Sequence, residues 1–288
     1  MTGAGLISLH GRVAVVTGGG AGIGRAIAIA YAAAGADVVI GDIVPERGEE
    51  AAARVREQGA RAVALPTDVT DTAQVRALIE QAGETFGGLD ILVNNAGGTG
   101  RRAFADHGER SWRRHIDLNF VSMLAATSAA IPPMIAAARG GAIVNVSSIE
   151  GSRAAPGFAV YAACKAAMNN FTRTMALELA DHGIRINAIA PDYTETPGLR
   201  GQLTGPVDPA GWAPRTPAQD HVLDRRIPLG RGGIDTECAN VALFLASPMS
   251  SYVTGTVIPV DGGVWASAGW VRDRAGQWVQ YPDPPEMP

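Results

Sequence analysis

"RVAVVTGGGAGIG", residues 12–24, runs from an apolar segment straight into a cluster of glycines. Val13 to Val16 carries no polar side chain, as expected of a parallel strand covered on both faces. "RAIAIAYAAAG" (25–35) then continues with apolar residues at helical spacing. Glycines between a strand and a helix permit a tight turn, and the bare N–H groups at the helix N-terminus can cradle a pyrophosphate. A glycine cluster alone is equally a flexible loop. Strand, spacing and helix together point to a dinucleotide.

The next strand supports this. "ADVVIGD" (36–42) ends on Asp42, where a carboxylate can accept hydrogen bonds from an adenosine ribose and would repel a 2′-phosphate. Ile43 follows instead of a basic residue, and Ala21 occupies the loop position where a cation would hold that phosphate. The expected cofactor is NAD rather than NADP.

The same rhythm extends along the chain. Strand-like runs occur at 61–66, 89–95, 141–148, 184–191 and 256–263, with helical patterns at Gly22–Ala34, Glu46–Gln58, Thr72–Phe86 and Ala159–Ala180. Repeated β-α units predict an α/β fold: a doubly wound, Rossmann-like parallel sheet of about seven strands with right-handed crossovers. It is expected as one domain over residues 1–264. Two stretches break the pattern. Residues 195–226 are rich in Pro and Gly and are expected to form a mobile substrate lid. Residues 265–288 follow the last strand and hold three of the five tryptophans, Trp265, Trp270 and Trp278, with Tyr281. They are expected to form an ordered aromatic arm, on a neighbouring subunit, over its substrate entrance or on their own subunit.

Composition narrows the function. A formal charge of −4 with no basic run argues against nucleic acid. Cys164 and Cys238 are far apart and without metal-ligand spacing, so a reduced intracellular, cytoplasmic protein without a metal is expected. The start of the chain lacks the basic region and apolar run of a signal peptide. Residues 119–138 contain no charge, but Asn119, Ser122, Thr127, Ser128 and Pro132-Pro133 dilute and interrupt the run. A buried or interface helix is expected there, not a membrane span.

"YAACK" (161–165) places a phenol and an ammonium four positions apart, one above the other on one helix face. A lone tyrosine on an alanine-rich helix is usually a packing residue, and Ser148 and Asn119 can equally be a strand end and a buried turn former. The joint pattern is more specific. With Gly18-xxx-Gly22-x-Gly24, "NNAG" (94–97), "LNF" (118–120), "NVSS" (145–148), "PLGRGG" (228–233) and "VTGTVIPVDGG" (253–263), the chain resembles the short-chain dehydrogenase/reductase family. The resemblance covers about residues 8 to 263.

The resemblance implies a catalytic set of Asn119, Ser148, Tyr161 and Lys165. Tyr161 would transfer the proton, Lys165 tune it and bond the nicotinamide ribose, and Ser148 position the substrate. Asn119 would kink its helix and hold a relay water. A phenol with a pKa near ~10 is too weak an acid for proton exchange at neutral pH, and a nearby ammonium is expected to lower it. Cofactor contacts are implied at Gly18, Gly20, Gly22, Ile23, Gly24, Asp42, Ile43, Asp68, Val69, Asn95, Ala96, Gly97, Tyr161, Lys165, Pro191, Thr194 and Thr196. Substrate contacts are implied at Ser148, Tyr161 and Tyr193, with walls from 98–101 and 149–153. The chain departs from the family pattern at Pro191-Asp192, where Pro-Gly is usual.

The expected activity is reversible hydride transfer between a secondary alcohol, cyclic or steroid-like, and NAD. The alternatives are reduction of a 3-oxoacyl thioester, or a catalytically silent NAD-binding scaffold. The resemblance also implies a homotetramer, in which the helices around 119–138 and 159–180 pair across two-fold axes.

Overall fold

Seven parallel strands form the sheet at the centre of the computed structural model, which describes residues 7–202, 204–207 and 212–280. They are β1 (Val13–Thr17), β2 (Asp37–Asp42), β3 (Ala62–Pro66), β4 (Ile91–Asn94), β5 (Gly141–Val146), β6 (Ile184–Pro191) and β7 (Val257–Val260). Their order is β3-β2-β1-β4-β5-β6-β7, so Val15 faces Val39 on one side and Leu92 on the other. The order reverses between β1 and β4, which opens a crevice at the carboxyl ends of those strands.

The helices are α1 (Gly22–Ala33), α2 (Pro45–Glu57), α3 (Thr72–Phe86), α4 (Glu109–Ile116), α5 (Ser122–Ala137), α6 (Ala159–Glu178), α7 (Pro217–Arg226) and α8 (Asp235–Ala246). On one face of the sheet, Ile27 and Tyr31 of α1, Val55 of α2 and Leu245 of α8 close a core over Val16, Val38 and Val93. Leu78 and Ile79 of α3, Met134 of α5 and Ala176 of α6 cover Val15, Val39 and Ile186 on the other. The central strands β1, β2, β4, β5 and β6 are therefore buried on both faces, as their composition requires, while the edge strands β3 and β7 are partly exposed.

Several strands end earlier than their apolar runs suggest. Asn95 leaves β4 because its Nδ2 donates to the carbonyls of Thr17 and Gly18, at 3.0 and 2.9 Å, instead of extending the ladder. Ser147 and Ser148 likewise turn away after β5. Among buried polar groups, Asn94 Nδ2 donates to Asn145 Oδ1 at 2.8 Å, and Asn145 Nδ2 donates to Thr172 Oγ1 at 2.9 Å. These bonds tie β4, β5 and α6 together beneath the crevice.

α4 and α5 form one continuous helix through a π turn at Asp117–Val121. Glu109–Ala137 is long and apolar enough to cross a membrane by length and composition. In this fold its Met123, Ala126, Ala130 and Met134 are buried in the protein.

The Pro/Gly-rich stretch is partly regular in structure. It contains α7, whose start is fixed by a reciprocal capping box: Gln219 N–H donates to Thr216 Oγ1 and Thr216 N–H to Gln219 Oε1. Pro217 sits at the first helical turn, where no N–H is needed. Thr194–Glu195 pairs with Gly233–Ile234 as a two-residue ribbon.

The C-terminal arm has a short helical turn, Val264–Ser267, and a hairpin in which Val271–Arg272 pairs with Trp278–Val279. It lies against α7 of its own chain: Arg225 Nε donates to the Arg272 carbonyl at 2.7 Å. Trp265, Trp270 and Trp278 remain 42–45% exposed on this chain. Tyr281 and the prolines that follow lie outside the described residues.

Candidate active site

A cavity of about 660 Å³ occupies the crevice. Its cofactor end is built by the glycine turn. The N–H of Gly20 donates to Asp42 Oδ2 at 2.9 Å, and that of Val44 to Asp42 Oδ1 at 2.9 Å. A Cβ on Gly20 would stand 2.7 Å from the Asp42 carboxylate, and one on Gly24 would stand 2.2 Å from the Gly18 carbonyl oxygen. Side chains at either place would push the turn apart, so the sequence leaves them bare. Asp42 is buried and lines the cavity, and Ile43 stands exposed on its rim.

Arg47 is buried beside Asp42, yet its guanidinium donates to the carbonyls of Gln202, Thr204 and Gly205. That cation is engaged with the loop and is not turned to the carboxylate. The bare turn, the fixed carboxylate and the helix N-terminus fit a dinucleotide.

Gly18, Gly22 and Ile23 also line this end, with Asp68 and Val69 after β3 and Asn95, Ala96 and Gly97 after β4. Asp68 Oδ1 accepts from the Thr70 backbone and hydroxyl, while Asp71 caps α3. Gly20 and Gly24 shape the turn from behind without lining the cavity.

The other end is carried by α6 and the strand ends. Tyr161 and Lys165 lie one turn apart, with Lys165 Nζ 5.6 Å from the Tyr161 ring centre. Lys165 is only 3% exposed and donates to the Val146 carbonyl at 2.7 Å. Burial lowers its pKa to about 8. Burial raises the Tyr161 phenol, opposed by a hydrogen bond with Ser148 and reinforced by Glu150. The expected lowering of the phenol by the ammonium is not what the fold produces: burial raises the phenol, the group that opposes this is Ser148, and Lys165 is turned to a carbonyl.

Ser148 Oγ accepts from the Glu150 N–H at 3.2 Å and donates to the Pro191 carbonyl at 3.4 Å. Asn119 is fully buried in the π turn. Its Oδ1 accepts from Gly98 N–H, and its Nδ2 donates to the carbonyls of Gly98 and His115, at 3.0, 3.0 and 2.9 Å. It thus fastens the loop after β4 behind Lys165 and does not itself line the cavity.

Pro191, Thr194 and Thr196 line the wall after β6. Asp192 lies there too, its carboxylate facing Arg226 and Arg153. Tyr193 is not brought to the cavity. Its ring packs on Gly232 and joins the apolar group of Ile149, Ala190, Leu223 and Ile227. Phe158, Leu118, Leu199 and Gln202 line the cavity without having been singled out. The last two fall in the segment read as a lid, Leu118 falls in the "LNF" motif, and no motif marks Phe158. No cluster of His, Cys, Asp and Glu suited to a metal occurs among the described residues.

Residues 18–265 match the family model described as enoyl-(acyl carrier protein) reductase. The 3-oxoacyl-(acyl-carrier-protein) reductase FabG of Thermotoga maritima is 39% identical over 256 residues, covering 89% of this chain and 98% of that protein. The cis-4-hydroxycyclohexanecarboxylate dehydrogenase of Sinomonas cyclohexanicum is 40% identical, covering 88% and 97%. Among solved structures, a 7α-hydroxysteroid dehydrogenase complexed with NADH and 7-oxo glycochenodeoxycholic acid superposes with a TM-score of 0.82 at 34% identity, covering 91% of this chain and 99% of the other. This chain belongs to the short-chain dehydrogenase/reductase family and is an oxidoreductase built for a nicotinamide cofactor.

Proposed function

We propose that the protein uses NAD to interconvert a secondary alcohol, cyclic or steroid-like, and its ketone, with Tyr161 as general acid/base. The observation that carries this reading is one cavity with Ser148, Tyr161 and Lys165 at one end and the Asp42 carboxylate at the other. When bound, the nicotinamide supplies the two-electron acceptor for the carbinol hydride. Ser148 Oγ donates to the substrate oxygen, and Tyr161 Oη receives the hydroxyl proton as the C=O bond forms. Lys165 stands behind the phenol and orients the ribose, while Asn119 holds the loop that backs it.

Asp42 supports NAD over NADP because a fixed carboxylate meets the ribose and the nearby Arg47 is engaged elsewhere. The hydroxycyclohexanecarboxylate and hydroxysteroid dehydrogenases support a ring alcohol. A second reading, 3-oxoacyl thioester reduction, is favoured by the Thermotoga relative. A panel of steroid, cyclic, sugar and 3-hydroxyacyl alcohols, each with NAD⁺ and NADP⁺ and followed by nicotinamide absorbance, separates them. Turnover confined to hydroxyacyl thioesters would reject the first reading.

We also infer a homotetramer, because α6 keeps apolar surface such as Leu177, 81% exposed, outside the core. A monomer by light scattering at micromolar concentration would contradict it.

A further inference from the structure

Asp192 stands where a glycine was expected, at the substrate end of the cavity beside Ser148 and Tyr161. Its side chain is only 10% exposed. Two arginines from separate elements meet it. Arg226, the last residue of α7, places Nη2 3.2 Å from Oδ2, and Arg153, in the loop after β5, places Nη2 3.6 Å from Oδ1. Arg153 is shared with Glu150, whose Oε1 lies 2.8 Å from it. Burial raises the Asp192 carboxyl; Arg226 and then Arg153 oppose this, while Glu150 and Asp261 add to it.

A carboxylate this buried is retained only with its counter-ions, and each counter-ion brings its own segment with it. One segment is α7, which also buries Leu223 in the apolar group of Ile149, Ala190 and Tyr193 and is held from outside by the arm through Arg225 and Arg272. The other is the turn Ile149–Gly151 and the residues after it, next to Ser148. We propose that Asp192 is a positioning residue that joins α7 to the 149–153 turn and so fixes the two outer walls that stand behind Ser148 and Asp192, the residues that line the substrate end of the cavity. That these walls enclose a substrate rests on the proposed function; the ionic hub does not.

Hydrogen–deuterium exchange of the full chain tests the hub without any substrate. In Asp192→Asn and Asp192→Gly, the amides of 149–157 and of 217–226 should both exchange at least about tenfold faster while β1, β4 and β5 are unchanged. Asp192→Glu should restore most of the protection. Asp192→Asn combined with Arg226→Met should exchange no faster in α7 than either alone, since both remove the same contact. Acceleration in neither wall, acceleration shared equally by the sheet, or effects that multiply would each overturn the proposal. Alongside, the KM of cyclohexanol in NAD⁺-linked oxidation should rise at least about fivefold in Asp192→Asn, with kcat changing less. If the wild type oxidises no alcohol, the substrate reading fails and the exchange result still decides the hub.

Discussion

Lys165 Nζ donates to the Val146 carbonyl at 2.7 Å, so a buried ammonium is anchored to the end of a central strand and not to the phenol one turn before it. Anchored there, the charge is held at a fixed depth behind Tyr161, and desolvation acts on both groups.

That burial makes Lys165 costly to the empty fold. Its pKa falls from 10.5 to about 8, so between those values the unfolded chain binds more protons than the folded one, and stability rises with pH. Below pH 8 the whole penalty is present, on the order of 3 kcal/mol. Lys165→Met removes it but leaves the Val146 carbonyl unpaired, a loss of about 1–3 kcal/mol. Without cofactor, the variant is expected to be at least as stable as wild type at pH 7, though inactive. Its advantage should shrink between pH 8 and 10.5. Urea unfolding at pH 7 and pH 10 measures both; a loss above about 2 kcal/mol at pH 7 would contradict the burial argument.

Tyr161→Phe keeps the ring and removes the proton-transfer group. Turnover should fall by about 10²–10⁴ with fold and NADH affinity retained. Because burial raises the phenol, alcohol oxidation by the wild type should increase with pH as phenolate appears, and ketone reduction should decline. Ser148→Ala deletes the partner that lowers the phenol, so the alkaline limb should move to higher pH. A profile left in place by that change would separate Ser148 from the tuning of Tyr161.

The β-α alternation was legible because strands buried on both faces are written as unbroken apolar runs, and every one of the seven main strands lies where such a run occurs. Spacing placed Tyr161 and Lys165 on one helix face and Ser148 at a strand end, while the roles proposed for them and for Asn119 came from the resemblance. What was hidden depended on tertiary packing. The Pro and Gly content of 195–226 obscured the short Thr216–Gln219 signal that starts α7. Tyr193 turned inward because Leu223 and Ile227 gave its ring an apolar bed. The direction of the Tyr161 shift depends on burial, which a motif does not encode. The burial of Arg47 depends on the carbonyls of Gln202, Thr204 and Gly205 reaching its guanidinium from a distant loop, which no motif marks.

On the proposed NAD-dependent reading, coenzyme choice follows from Asp42. Replacing it by Ala removes the carboxylate facing the ribose and should narrow the preference for NAD⁺ in kcat/KM. Adding Ile43→Arg should carry the preference toward NADP⁺, because a guanidinium suits a phosphate bidentately. The same change strips the N–H groups of Gly20 and Val44 of their acceptor, so stability should fall by about 1–3 kcal/mol. A wild type that prefers NADP⁺ would overturn the assignment directly.

The arm gives the last expectation. Residues 265–280 touch α7 and the residues that follow it: Arg225 bonds the Arg272 carbonyl, and an Arg272 guanidinium nitrogen donates to the Pro228 carbonyl at 2.9 Å. α7 in turn carries Arg226, which reaches Asp192 at the substrate end. The dinucleotide end is built from β1, β2 and β4, and among the described residues none of the arm lines the cavity. Deleting residues 265–288 should therefore loosen α7 and raise the KM of the alcohol several-fold while leaving NADH affinity within about twofold. Fluorescence titration with NADH and steady-state kinetics separate the two effects. Light scattering of the same protein shows whether the exposed Trp265, Trp270 and Trp278 also serve assembly. A truncated enzyme with wild-type KM and wild-type assembly would leave the arm no role at either place.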